Sequence, residues 1–265
     1  MKRNPFTYLK VALGLLVAIA LPSCLQNETM ITLNKDGSGT VVEETYLTTA
    51  MLEMSAQYAE AGAPDPVAVM FTEEKAKERA AKIGEGVEFV NMEMIEKDGM
   101  KGARSHYKFA DITKITIIPG SAMENLGDNA PKQNNEDKDT MKFDFVDGEL
   151  TVLIPPADFK DMAMDDAQEG QNPQMEEMMK KMMAGMRLSI KLKAAEGIEK
   201  TNASYVDGDT ITLFDVQVDK MLAQKDKLKA ISETAKTDKD AAIAEFKKLD
   251  GMKAETEEKV SVKLK

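Results

Sequence analysis

The chain of 265 residues has no tryptophan, one histidine and one cysteine, and only 5% of its residues are aromatic. A single thiol excludes an intramolecular disulfide framework and a cysteine-rich zinc site. A single histidine, His106, removes most acid–base and metal chemistry that depends on imidazole. It lies in "SHYKFAD", where strand alternation puts Tyr107 and Phe109 on one face and His106 with Lys108 on the other, so it reads as a surface side chain without an oriented partner. No G-x-S-x-G nucleophile elbow is present. No apolar run approaches the roughly 20 residues that a membrane-spanning helix needs. Positive charge is short as well: 35 Lys and Arg stand against 46 Asp and Glu, a net of −11. Such a balance argues against nucleic acid and anionic headgroups as electrostatic partners.

What is present starts at the N-terminus. Lys2, Arg3 and Lys10 precede the uncharged run "VALGLLVAIAL" from Val11 to Leu21, the layout of an export signal. It ends in "LPSC", which places the one cysteine, Cys24, after Leu21, Pro22 and Ser23. This arrangement resembles the lipobox of bacterial lipoproteins. The resemblance implies that residues 1–23 are removed, that Cys24 becomes a lipidated first residue, and that its sulfur is consumed in a thioether. Several acyl chains on one residue make a stable anchor, so the protein is tethered rather than spanning. By the sorting pattern of enteric lipoproteins, Leu25 in place of aspartate implies the periplasmic face of the outer membrane where the source has two membranes. The alternative is an ordinary signal peptide that leaves a free thiol. Loss of residues 1–23 removes three positive charges and no negative one, which takes the net from −11 to −14.

The remaining chain reads as α+β, with antiparallel sheet built from Asp-Gly hairpins and with packed helices. Asp-Gly steps begin at Asp36, Asp98, Asp147 and Asp207 between alternating apolar stretches, and Asp-Gly favours a tight hairpin because both central residues of a type I′ turn need positive φ. "MKFDFVDGELTVLIP" is the clearest, with Met141, Phe143 and Phe145 alternating on the way into the turn and Leu150, Val152 and Ile154 on the way out. "MRLSIKLKA" joined to "NASYVDGDTITLFDVQV" predicts a meander of three strands, and "EKVSVKLK" predicts a strand closing a sheet edge. Helices are expected over 50–61 and 72–83, broken by "GAPDP", with Thr72 as N-cap and Gly84 as stop. Another is expected from Gln174 to Met186, following Pro173. In the last, Thr237 to Asp240 matches a capping box and Gly251 ends the element.

The organisation that follows is a signal over 1–23, Cys24 with a short tether over 24–28, a hairpin–helix–hairpin unit over 29–120, a polar loop over 121–139, and a second unit over 140–265. Two halves of similar layout separated by the polar loop, a duplicated α+β unit, and one antiparallel sheet with helices on one face both satisfy this order.

Two further patterns carry chemistry. Thr32, Asn34, Asp36, Gly37, Thr40 and Glu43 partly follow the spacing of a calcium loop, yet their flanks alternate like strands, which favours an acidic hairpin turn. Met175, Met178, Met179, Met182, Met183 and Met186 fall on one face of a helix, with Glu176, Glu177, Lys180 and Lys181 opposite. That face reads as core against the sheet, as a groove for a lipid-like ligand or partner helix, or as thioether ligands for copper(I), which no neighbouring cysteine or histidine strengthens. No cofactor or metal site is expected.

"ITLNKDGSGTVVEETY", "GMKGARSHYKFADI" and above all "SIKLKAAEGIEKTNASYVDGDTITLFDV" together resemble the domain of LppM-type lipoproteins, with Asn202, Gly208 and Phe214 at the matching turn and strand positions. The resemblance implies an exported, non-enzymatic α+β domain and hints at binding of hydrophobic envelope components. The expectation is therefore a lipid-anchored envelope protein that is a binding or structural module, possessing a membrane contact through Cys24 and a lipid-like or protein partner. A hydrolase using unrecognised carboxylates and a protein scaffold are the alternatives.

Overall fold

A computed structural model describes residues 25–47, 52, 64–119, 121, 140–155 and 185–265. Within them the fold is α+β, as the alternation and the hairpin turns indicate. The strands are β1 (Leu25–Leu33), β2 (Gly39–Leu47), β3 (Glu88–Lys97), β4 (Met100–Phe109), β5 (Thr116–Ile117), β6 (Met141–Val146), β7 (Glu149–Leu153), β8 (Arg187–Ala194), β9 (Ile198–Thr201), β10 (Val206–Asp207), β11 (Thr210–Gln217), β12 (Met252–Ala254) and β13 (Lys259–Leu264). The helices are α1 (Pro66–Met70), α2 (Glu73–Ile83), α3 (Val218–Leu222), α4 (Lys225–Ala235) and α5 (Lys239–Phe246).

Turn chemistry sets the local structure. Asp98 and Gly99 have φ of 53° and 78°, and Asp147 and Gly148 have 52° and 78°, so both hairpins carry the positive pair that Asp-Gly predicts. The other two differ. At the β1–β2 turn Gly37 alone is positive, at 85°, and the Asp36 side chain instead accepts from the Ser38 backbone N–H at 3.0 Å. Between β10 and β11 the two turn residues are Gly208 and Asp209, because Asp207 still pairs with Thr210. Helix α2 starts and stops where Thr72 and Gly84 predict. Helix α5 is capped by Asp238, one residue beyond the expected Thr237. Helix α1 forms inside the expected break, since Asp65 accepts from the Val67 N–H at 2.9 Å and Pro66 suits a first turn.

Pairing of these pieces departs from the order read along the chain. One sheet runs β10-β11-β8-β1-β2-β4-β3, with β12 also on β11; the other runs β5-β6-β7-β13-β9. Strand β1 pairs in parallel with β8, Ile31 opposite Leu192, so strands from 29–120 and 140–265 share the first sheet. One core joins both sheets, with Ile31, Val41 and Leu192 packed in the same cluster as Phe143, Val152 and Val262. Burying each such aliphatic side chain contributes about 1.5–3 kcal/mol.

Three further corrections follow from pairing. Strand β1 already begins at Leu25, so residues 25–28 are sheet and not tether. Strand β13 lies between β7 and β9 rather than at an edge. The expected three-strand meander is interrupted, because β11 lies between β8 and β10 while β9 leaves for the other sheet. Alternation states which face of a strand is buried, and it is silent on which strand lies beside it.

After β8 the chain crosses between the sheets three times, from β8 to β9, from β9 to β10 and from β12 to β13, and side chains join the last two crossovers. Asn202 donates from Nδ2 to the Lys259 carbonyl at 3.1 Å and accepts from the Ser261 N–H at 2.7 Å, extending the β9–β13 ladder by one side chain. Glu255, 4% exposed, accepts from the Ser204 and Tyr205 N–H groups through Oε1 at 2.7 and 3.2 Å. The two crossovers are thereby pinned to each other. This gives a physical reason for asparagine at position 202.

Candidate functional site

Successive rungs across the inner face of the first sheet change character. Leu192, Ile31, Val41 and Tyr107 lie side by side in register, at most 1% exposed. Two residues toward the start of β1, the next rung is Ile190, Thr29, Glu43 and Ser105, and the one after it brings Asn27 beside Thr45 and Ala103. Asn27, Thr29, Glu43 and Thr45 are all buried, at 3–6% exposure. Buried polar groups of this kind require partners.

Helix α2 supplies the main one. Ala76, Arg79, Ala80 and Ile83 share its buried face, which places one guanidinium within an otherwise apolar stripe. Arg79 Nε lies 3.1 Å from both Glu43 oxygens and Nη2 lies 2.7 Å from Oε1, a bidentate, charge-assisted pair with both side chains under 8% exposed. Asn27 Nδ2 donates to Thr45 Oγ1 at 3.0 Å on the next rung. Burial holds the Tyr107 hydroxyl well above its ordinary pKa, and the neighbouring Glu43 charge adds to the shift.

Between α2 and the sheet, Glu43, Arg79 and Tyr107 line a cavity of about 50 Å³ that is open to solvent, with Met70, Phe71, Thr72, Lys75 and Met92 around it. That is room for a few water-sized groups, at roughly 10–15 Å³ each, and far below the roughly 300 Å³ of the smallest common ligand pockets. Chemically, Glu43 is held by Arg79. The arrangement fixes a helix on a sheet.

The outer face carries a second ionic row. Arg104 bridges Glu44 and Glu93, each at 2.7 Å, and Tyr46 donates to Glu44 at 2.9 Å. Burial opposes ionisation of Glu44, but the Arg104 and Tyr46 hydrogen bonds outweigh it and hold its carboxyl below the ordinary value. His106 lies on this outer face, opposite Tyr107 as expected, with Nε2 3.9 Å from Glu93 Oε1. Farther along, Arg187 forms a two-bond pair with Asp215 at 2.7 and 2.8 Å, and Lys191 meets Glu28 at 3.0 Å.

Cys24 and Met175, Met178, Met179, Met182 and Met183 lie outside the described residues, as do the expected helix over 50–61 except Leu52 and the loop over 121–139 except Ser121. Met186 is described. It immediately precedes β8, half-buried, and its carbonyl accepts from the Val218 N–H at 2.8 Å. The calcium-like spacing is a β-hairpin, in which Asp36 holds Ser38 and Glu43 turns to Arg79. Among the described residues no group of three or more His, Cys, Asp or Glu is placed to hold a metal ion. No helix among them is long and apolar enough to cross a membrane.

The Arg79–Glu43 pair was missed by sequence reading. Its signal was an arginine at i+3 in a stripe of Ala76, Ala80 and Ile83, and a glutamate within the Val41, Thr45, Leu47 alternation.

No family model and no curated protein matches the sequence. Among solved structures, the NMR structure of the folded domain of the Mycobacterium tuberculosis LppM protein is similar over 76% of this chain and 86% of that one, at 10% identity and a TM-score of 0.34. A likeness this distant sets neither fold nor function here.

Proposed function

We propose that the protein is a lipid-anchored, non-enzymatic module of the cell envelope, held by Cys24 and acting in binding or as structure. One observation supports this reading above the others: each titratable group of shifted pKa among the described residues owes its shift to burial, to a hydrogen bond or to a charged neighbour, as with Glu44 on Arg104, Arg187 on Asp215 and Lys263 on Glu199. Catalytic sites show the opposite pattern, shifted groups converging on an open cleft. The lipobox supplies the anchor, and the Met175 to Met186 face remains the candidate for an apolar ligand.

Cys24→Ala tests the anchor. It should leave unprocessed precursor without fatty-acid label, and label that persists in the variant sinks the reading. Native mass spectrometry of the chain extracted from its own envelope tests the binding role. A co-purifying lipid mass that is lost in Met179→Glu/Met182→Glu supports an apolar ligand. A bare mass moves the role to a protein scaffold.

A further inference from the structure

We infer that the end of the first sheet where β1 begins is a membrane-contact surface, with helix α1 and the β3–β4 turn resting at the headgroup level of the bilayer. The inference rests on the reading of Cys24 as the lipid-bearing residue. Cys24 precedes Leu25 by one peptide unit, a Cα step of about 3.8 Å, and Leu25 is already the first residue of β1, 6% exposed and packed with Leu47 and Val67. No slack remains between acyl chains and sheet. A flexible linker would let the domain tumble above the membrane; a strand that starts at the anchor fixes which end of the fold meets it.

That end can be named. Leu25 pairs with Leu47, and Leu47 with Lys101, so the β3–β4 turn at Asp98 and Gly99 lies at the same end. Parallel pairing of Gln26 with Arg187 brings Met186 there too. Helix α1 packs at this end through Val67 and Met70, while its Val69 side chain is 50% exposed. Met94, 52% exposed on β3, is level with Asn27 through Ala103 and Thr45.

Exposed apolar side chains by themselves do not choose between the ends, for Val146 is 66% exposed and Val206 44%. Both lie away from the anchor. β1 is nine residues long, and at about 3.3 Å per residue the Gly37 turn is some 26 Å or more from Leu25. A Cβ on Gly37 would come within 3.0 Å of the Phe145 ring, which puts the neighbouring Val146 at the far turn. Val206 is level with Ile31 through Ile211 and Leu192. The position of the anchor makes the choice, and the net charge of −14 left once residues 1–23 are removed means that apolar contact and the acyl chains hold the surface down, without headgroup attraction.

The sole native thiol is consumed by the lipid, so one introduced cysteine is the only free one. Val69→Cys, Met94→Cys, Val146→Cys and Val206→Cys are each made in the full chain, purified with the lipid attached, labelled with an environment-sensitive thiol dye, and placed in phosphatidylethanolamine–phosphatidylglycerol vesicles containing a headgroup-nitroxide lipid. All four side chains are at least 44% exposed, so the fold tolerates the substitutions. The expected result is quenching about twofold or more stronger at 69 and 94 than at 146 and 206, since a contact layer is only roughly 5–10 Å deep. Equal quenching at all four positions, or stronger quenching at 146 and 206, on a chain whose Cys24 is shown by mass to be acylated, overturns this inference alone. An unmodified Cys24 overturns the lipoprotein reading, and this inference falls with it.

Discussion

The rung through Ile31 and the rung through Thr29 are one pleat apart on the same strands, about 6.6 Å, yet they hold the molecule together in different ways. At Ile31 the neighbours are Leu192, Val41 and Tyr107, and the second sheet covers them in one shared cluster. At Thr29 the neighbours include Glu43, and the cover is helix α2 with its Arg79. The apolar rung gains by removal of surface from water and tolerates many side chains of suitable volume. The polar rung depends on one geometry, because a charge withdrawn from water is tolerated only while its partner stays in place.

The largest separation between the rungs should come from Arg79→Met, which strands the Glu43 carboxylate. About 3–5 kcal/mol of unfolding free energy should be lost by urea denaturation, whereas Arg79→Met/Glu43→Leu should recover most of it. Equal losses in the single and double variants would show that the pair is not coupled. On the apolar side, Leu192→Ala should lose about 2–4 kcal/mol, from transfer and from the cavity left between the two sheets. No second substitution at a paired charge should rescue that loss.

Smaller effects sharpen the comparison away from α2. Glu255→Ala leaves the Ser204 and Tyr205 N–H groups without their acceptor and should cost about 1–3 kcal/mol, with early hydrogen exchange at those two amides. Glu44→Gln on the exposed outer face should lose less than about 1 kcal/mol and should respond to salt. Its carboxyl is depressed in the folded state, so its stabilisation is present above the unfolded pKa and is lost as pH falls through the folded value. The gap between wild type and Glu44→Gln should therefore close on acidification through the carboxylate range, and a gap that widens there would reverse the assignment.

The hairpins were legible because their determinants are local. Asp147 and Gly148 need only their own φ angles, and Met141, Phe143, Leu150 and Val152 need only a period of two. Thr72 and Gly84 likewise bound α2 without help from the rest of the chain. The candidate site was not legible in this way. Glu43 and Glu44 are adjacent glutamates of identical chemistry, and only the packing of α2 makes one an interior partner of Arg79 and the other a surface partner of Arg104.

The sequence by itself determined the α+β class, the turn residues and the buried face of each strand, since turn chemistry and alternation are written within a dozen residues of chain. Tertiary structure alone decided that β1 lies beside β8, that β13 is interior, that Asn202 and Glu255 join the two crossovers, and that Arg79 meets Glu43. Those contacts join residues 36 to 163 positions apart. Over such separations alternation and capping are silent, and the choice rests with the packing of whole faces against one another.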